Sequence, residues 1–217
     1  MIVETGTRAA TEEMVGGRLC LDFANTVHSF YAEEKEAKRD ELGSYADLVE
    51  WSREAGVITD AEARRLLREA KGHPVKADRA LERAKILREV IFKIFAATAR
   101  ERSPGRDDLQ FLNCVLAESL THARVVAGAD GFVWGWAEED TLDQLLWPLA
   151  RSAADLLTSD ELSRTRECGG PACTWLFMDT SKNRSRRWCA MKGCGNRAKS
   201  RRHYERTRAA AQETTSG

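Results

Sequence analysis

The sequence predicts an α+β fold, in which a predominantly helical N-terminal domain with a small β-hairpin precedes a small cysteine-rich module. Three observations support this prediction. Apolar residues recur at helical spacing through most of the first 158 residues, whereas strand-like alternation is confined mainly to one segment near residue 130. Four of the six cysteines lie in the last fifty residues. The composition, 42% hydrophobic and 31% charged, is typical of a folded globular chain.

The first predicted element follows a tail of residues 1–17. In RLCLDFANTV, residues 18–27, the alternating apolar residues fit a short strand, but the polar residues among them could equally begin a helix. Both alternatives stay open. Asp22 and Asn25 lie in this otherwise apolar stretch, and His28 directly follows it. They are candidates for a ligand pocket; the competing interpretation is that they cap a helix or satisfy buried backbone groups.

Three helices are predicted next. Ser44 is a suitable N-cap for a helix to about Ala55, and Thr59 with Glu62 forms a capping box for a helix to about Lys71. A periodic segment from about residue 76 to residue 100 predicts a long helix at the centre of the core. Its apolar stripe consists of Leu81, Ala84, Leu87, Ile91, Phe95 and Thr98, widened by Ile86, Val90 and Ile94.

The remainder of this domain combines helices with one hairpin. A helix is predicted to open at Ser103-Pro104, and THARVV and FVWGW, on either side of a turn at Asp130-Gly131, predict two antiparallel strands. A final helix from about residue 142 completes a domain expected to span residues 18–158, before a linker of residues 159–165. The apolar face of the first of these helices is predicted to be Leu109, Leu112, Val115, Leu116 and Leu120.

No segment of the sequence resembles a signal peptide, and no apolar run reaches the roughly 20 residues that span a bilayer. We therefore expect a cytoplasmic protein without a membrane partner. Cysteines in that compartment stay reduced and are more often metal ligands or buried apolar residues than disulfides.

The cysteines fall into two groups. Cys20 and Cys114 are isolated in apolar segments and are expected to be buried without chemistry. The other four form two pairs, each with four residues inside it, separated by fifteen residues. Such a pattern predicts a tetrahedral site for one structural Zn²⁺, a closed site that leaves no position for catalysis. The alternatives are unconnected cysteines or two disulfides. The predicted ligands are Cys168, Cys173, Cys189 and Cys194.

The fifteen-residue spacer, TWLFMDTSKNRSRRW, predicts a second hairpin. Its strands are expected at Trp175 to Met178 and Arg186 to Trp188, around a turn at residues 179–184. Trp175, Phe177 and Trp188 could shield the metal. A module this small has few apolar residues, so much of its folding free energy would come from zinc binding.

A cationic segment follows the cysteine pattern. Residues 182–208 contain eleven Lys or Arg and one Glu, a net charge of +10, whereas residues 1–181 carry −9. The run after Cys194 is predicted to be a helix without an apolar stripe, which fits a phosphate-lined groove. Alternatives are a solvated helix, RNA binding or a protein-interaction finger. The predicted nucleic-acid contacts are Arg184, Arg186, Arg187, Asn196, Arg197, Lys199, Arg201, Arg202 and Arg206.

The sequence Cys194-Gly195-Asn196-Arg197, with its preceding WLFMDTSKNRSRRWC, resembles the CGNR zinc finger over residues 166–208. RLCLDFANTV and the domain order resemble the ABATE domain that accompanies this finger. The resemblance implies a bacterial, stress-induced transcription regulator that binds DNA through a finger of residues 166–210, with the four predicted cysteines as zinc ligands. A disordered tail is expected at residues 211–217.

Further expectations concern activity, partners and regulation. No arrangement of residues typical of an enzyme stands out in the sequence, so we expect no enzymatic activity. One finger contacts few base pairs, which favours a homodimer. The N-terminal domain could sense a small-molecule effector, and the acidic N-terminal half of the chain could fold against the basic half and mask it.

Overall fold

A computed structural model describes residues 14–28, 30, 40–128, 131–137, 139, 141–171 and 173–215. Seven α-helices and four strands are assigned in these ranges. The helices are α1 Leu19–Ala24, α2 Tyr45–Glu54, α3 Asp60–Gly72, α4 Pro74–Ala99, α5 Arg106–Thr121, α6 Leu146–Leu157 and α7 Asn196–Thr215. The strands are β1 Ala123–Gly128, β2 Gly131–Trp136, β3 Thr165–Glu167 and β4 Leu176–Met178. The α+β class is confirmed. None of the described helices is both long enough and apolar enough to cross a bilayer.

Helix α4 lies at the centre of the core, as its periodicity predicts. Leu87, Ile91 and Phe95 are fully buried, and α1, α2, α5 and α6 pack around the helix. Ile86 departs from the prediction, because it is 48% exposed. The row that it shares with buried Val90 and Ile94 emerges from the core at this turn.

Local capping signals fix the starts of α2 and α3. The Ser44 hydroxyl accepts a hydrogen bond from the backbone N–H of Asp47, whose carboxylate accepts one from the Ser44 N–H in return. Thr59 and Glu62 make the same reciprocal pair at the start of α3. Both predicted helix starts are therefore confirmed, since these contacts satisfy N–H groups that a helix leaves unpaired.

The ambiguous segment after residue 18 is a helix, α1. Its buried residues pack against α4 and α6. An isolated antiparallel bridge pairs Val27 with Asp40. The Asp40 carboxylate accepts two hydrogen bonds of 2.7 Å from the guanidinium of Arg88, which is 4% exposed. Burial of the Asp40 carboxyl would raise its pKa, but the hydrogen bonds from Arg88 and the Leu42 N–H, together with the charges of Arg88 and Lys85, lower it overall.

The predicted hairpin is formed by β1 and β2, with Val125 opposite Trp134; Asp130 lies outside the described residues. Cys20 is buried, as expected, but the prediction that Cys114 is buried is wrong. The buried row of α5 is Leu112, Val115 and Ser119, and position 114 lies off that row. Leu120, predicted on the apolar face, is 47% exposed.

The second predicted hairpin is wrong in its pairing. Strand β4 pairs antiparallel with β3, which precedes it, and Arg186–Trp188 is not assigned as a strand. The expected linker of residues 159–165 contains a 3-10 helix, Asp160–Arg164, and the first residue of β3. Residues 1–13 of the predicted tail lie outside the described residues. The disordered tail was expected from residue 211, but α7 extends to Thr215.

Candidate metal centre

The first cysteine pair is held by the β3–β4 ladder. Cys168 directly follows β3, and its N–H donates to the Trp175 carbonyl at 2.8 Å, continuing the ladder beyond the strand. The chain then reverses through a turn that the Cys173 N–H closes on the Gly170 carbonyl at 3.1 Å. A Cβ on Gly170 would lie 3.2 Å from the Cys194 sulfur, so glycine lets this turn approach the second pair.

The second pair is held by a wide helical turn, Met191–Gly195, that leads into α7. The Gly195 N–H donates to the Ala190 carbonyl at 3.1 Å. Cys189 lies two residues before this turn, and its N–H donates to the Cys168 sulfur at 3.4 Å. Cys194 lies two residues before the start of α7, so the basic helix is joined to the centre through Gly195 alone.

The four sulfurs form one cluster. The Cys173 and Cys189 sulfurs are 3.8 Å apart, the Cys189 and Cys194 sulfurs are 3.7 Å apart, and all four lie within 4.8 Å of one another. A tetrahedral site with Zn–S bonds of about 2.3 Å has an S–S edge of about 3.8 Å. The cluster is therefore consistent with one zinc ion, as the cysteine spacing predicts.

The electrostatics of the cluster also favour a cation. Hydrogen bonds from the Cys173 and Cys189 thiols lower the pKa of Cys168, and the same contact with Cys168 raises the pKa of Cys173 to about 12. The pKa of Cys189 is raised as well, because it borders both sulfurs. Four thiols this close can all ionise only around a cation that offsets their repulsion. Bound zinc would supply that charge and crosslink the two loops.

The surroundings indicate a structural site. Three of the four cysteines are buried and Cys173 is partly buried. Phe177 is fully buried against them, and Trp175 and Trp188 pack on the cluster, as the sequence predicts. With four sulfurs filling the coordination shell, no position is left for a substrate.

Asp179 organises the loop between β4 and the second pair. Its carboxylate accepts hydrogen bonds from the hydroxyl and N–H of Ser181 and from the N–H of Arg186. Burial would raise the pKa of Asp179, but these bonds outweigh that effect and lower it. Sequence analysis missed this residue, although an Asp two residues before a Ser is a common turn signal.

Two predicted nucleic-acid contacts have other partners. The Arg186 guanidinium lies 4.4 Å from the Phe177 ring centroid and donates to the backbone carbonyls of Met178, Trp188 and Cys189. The Arg197 guanidinium donates to the Cys194 sulfur at 3.1 Å. Both arginines thus support the centre itself.

The remaining predicted contacts are exposed. The Asn196 amide donates to the Lys192 carbonyl at 3.4 Å, and Arg187 lies over the Trp188 ring. Arg184 has a backbone φ of 50°, an unusual left-handed conformation for a residue with a side chain. The exposed members of the predicted set are Arg184, Arg187, Asn196, Arg197, Lys199, Arg201, Arg202 and Arg206.

The three candidate pocket residues make contacts within the protein. The Asp22 carboxylate accepts from the Gly16 N–H at 2.7 Å. The Asn25 amide donates to the Leu176 carbonyl and accepts from the Leu176 N–H, each at 2.8 Å. The His28 ring lies 2.9 Å from the Glu41 carboxylate and contacts Trp175. Asp22 and Asn25 thus satisfy backbone groups.

A cleft of about 350 Å³ adjoins the centre. It lies between His28, Trp175 and the first two turns of α7, where Arg197 and Arg201 form part of its wall. Of the three candidate pocket residues, only His28 lines this cleft. Effector binding by the N-terminal region stays a prediction.

Two family models match the chain. The ABATE model, described as "Putative stress-induced transcription regulator", matches residues 17–160. The model of the CGNR zinc finger matches residues 164–207. Neither description is that of an enzyme family. No curated protein matches the chain.

Proposed function

The chain belongs to the ABATE family and carries a CGNR zinc finger, and from this premise we propose that it is a transcription regulator whose finger binds duplex DNA. In this proposal zinc fixes the loops from which α7 projects. Cations on α7 and on the preceding loop contact phosphates, which provide most of the affinity of such interfaces.

The exposed cations of α7 carry the proposal. Lys199, Arg202 and Arg206 recur at spacings of three and four residues, so they share one face of the helix, and all three are exposed. A row of this kind can follow a groove. The helix begins two residues after the zinc ligand Cys194, so the ion sets its position.

The loop between β4 and the second cysteine pair adds further cations. Lys182, Arg184 and Arg187 are exposed on it, and the buried Asp179 carboxylate fixes its backbone. An unusual left-handed conformation at Arg184 supports a role for this residue beyond folding, since glycine or asparagine would fit the backbone at lower cost.

The position of α7 bears on the masking hypothesis. Within the described part of the chain, the main packing contact of α7 is with the turn Met191–Gly195 that precedes it. Its described side chains from Lys199 to Arg208 are exposed. This conformation favours a helix open to a duplex over one covered by the acidic N-terminal region.

The test is a salt series. Affinity of the zinc-loaded full chain for a random duplex is measured by fluorescence anisotropy, with a triple variant of α7 and a matched triple variant of α3. The α7 changes are Lys199→Ala, Arg202→Ala and Arg206→Ala. The α3 changes are Arg64→Ala, Arg68→Ala and Lys71→Ala, which remove three exposed helical cations at similar spacing.

We expect log K for the unmodified chain to fall steeply with log salt. The α7 variant should flatten that slope by about 2–3 units, since each lost phosphate contact removes about 0.9. The α3 variant should keep the slope. Equal flattening in both variants, or no salt-dependent binding, would contradict the proposal. Tighter binding to single-stranded RNA of the same length would favour the RNA alternative.

A further inference from the structure

The β1–β2 hairpin has one continuous apolar face. Val125 lies opposite Trp134, and Ala127 lies opposite Phe132, in the register of the two strands. Alternate residues of a strand point to the same side, so these four side chains share a face. None of them carries a charge.

This face is exposed far beyond what is usual for its residues. Phe132 is 81% exposed, Val125 64% and Trp134 49%. A large side chain has a surface of about 150–250 Å². The exposed fractions of these three side chains therefore leave roughly 400 Å² of apolar surface in water. The largest apolar patch of a typical monomer measures about 300–600 Å² and is often functional, and this face falls in that range.

Contacts with α6 hold the end of the hairpin near Trp136 against the core. The Trp136 and Trp147 rings lie 6.0 Å apart, and the Arg151 guanidinium lies 4.1 Å from the Trp134 ring centroid. Both partners belong to α6. Beyond these contacts the two strands depend mainly on each other, and an isolated two-stranded hairpin is marginally stable in water.

Both outer edges of the hairpin are open in the part of the chain that the structure describes. No backbone hydrogen bond there joins β1 or β2 to a third strand. Arg124 is the one charged residue within the two strands, and proline is absent from them. Native proteins usually protect open edges with charge, proline or a covering segment, because an open edge pairs readily with another strand.

We propose that this hairpin is a homodimerisation surface, on which the same hairpin of a second copy packs. Three observations select a second copy. A partner must present a strand edge and an apolar face, and this chain itself supplies both. The four side chains of the face carry no charge, and the guanidinium that lies over Trp134, that of Arg151, is ion-paired with Asp155, so the face offers little to attract an acidic protein or an anionic lipid surface. A stable interface buries about 800 Å² on each partner, and the three side chains supply roughly 400 Å² of that area. The strand edges and the adjoining residues would add to the buried area.

This inference does not depend on DNA binding. It gives a structural location to the homodimer that the sequence analysis expected from the small size of one finger. Two copies joined in this way would carry two basic helices. An interface at the low end of stable sizes predicts a weak dimer, which dissociates on dilution.

The experiment is sedimentation of the full chain over about a hundredfold concentration range, with a lysine placed on the proposed face. Val125→Lys is compared with Val75→Lys, because Val75 on α4 is also a valine and is 63% exposed. Phe132→Lys near the hairpin tip is a second variant of the face. Circular dichroism verifies that each variant is folded.

We expect the unmodified chain and Val75→Lys to form a dimer at high concentration. Val125→Lys and Phe132→Lys should weaken that dimer at least about tenfold, because each buries an unpaired charge in the interface. A chain that stays monomeric throughout the range would overturn the proposal. A dimer that survives both hairpin changes, or that Val75→Lys weakens equally, would also overturn it.

Discussion

Arg197 illustrates how a residue in a basic segment acquires a structural role. Its guanidinium donates a 3.1 Å hydrogen bond to the Cys194 sulfur, so its charge faces a zinc ligand. A zinc ion with four thiolates carries about −2 by formal charge, and a cation beside one sulfur offsets part of it. Groups in this position orient the ligands and tune metal affinity.

We predict that Arg197→Ala lowers zinc affinity by about 10–100-fold, the usual effect of removing a hydrogen bond to a metal ligand. Lys199→Ala is the control. It also removes one positive charge from α7, at an exposed position two residues after Arg197. Competition with a chromogenic chelator measures both. Equal losses in the two variants would mean that overall charge, and not the sulfur contact, sets the affinity.

Residue roles were predictable where chemistry fixes the spacing. Four thiols in two short loops can serve few purposes, so the zinc centre followed from the sequence. The partners of Arg186 and Arg197 could not be predicted from the sequence. An arginine in a cationic run contacts phosphate, sulfur or carbonyl oxygen according to the tertiary structure around it. The Asn25 amide is a similar case, because its partner Leu176 lies 151 residues away.

At the scale of elements, β4 connects the finger to the N-terminal region. It pairs with β3 on one side, while the Asn25 amide at the end of α1 occupies both hydrogen-bonding groups of Leu176 on the other. The Met178 N–H donates to the Gly16 carbonyl at 2.8 Å. Leu176 and Met178 are buried in the same core as α1 and α4.

We predict that Asn25→Asp destabilises the chain by about 2–3 kcal/mol at neutral pH, since the carboxylate cannot donate to the buried Leu176 carbonyl. The loss should shrink as the pH falls and the introduced carboxyl, whose folded-state pKa is raised, becomes protonated. Urea unfolding measures the free energy. Asn113→Asp, at an exposed position of α5, should change it little. A loss no larger in Asn25→Asp than in that control would exclude this role for the amide.

The elements themselves were predictable to the extent that their signals are local. Capping boxes fixed α2 and α3, and periodicity fixed α4, because both depend on residues within one or two turns. The pairing of β4 was mispredicted because strand partners are chosen by tertiary contacts, and each of these strands has three residues. Helix α1, with six residues, is too short for its period to be unambiguous.

At the scale of the whole molecule, the finger and the N-terminal region share one core. The Arg100 guanidinium at the end of α4 binds the Glu167 carboxylate of β3 at 2.8 Å, and Arg18 binds Glu161 of the connecting 3-10 helix. A separated finger would expose Leu176 and Met178, so duplex-binding experiments need the full chain. Loss of zinc should therefore release α7 and loosen β4 as well.

The measurement that tests the central claim most directly is the affinity of the full chain for duplex DNA before zinc removal, after it, and after zinc is restored. Metal analysis verifies each state. The account predicts at least about a tenfold loss of affinity when zinc is removed, because α7 loses its fixed position, and recovery when zinc is restored. Unchanged affinity after verified loss of zinc would contradict it.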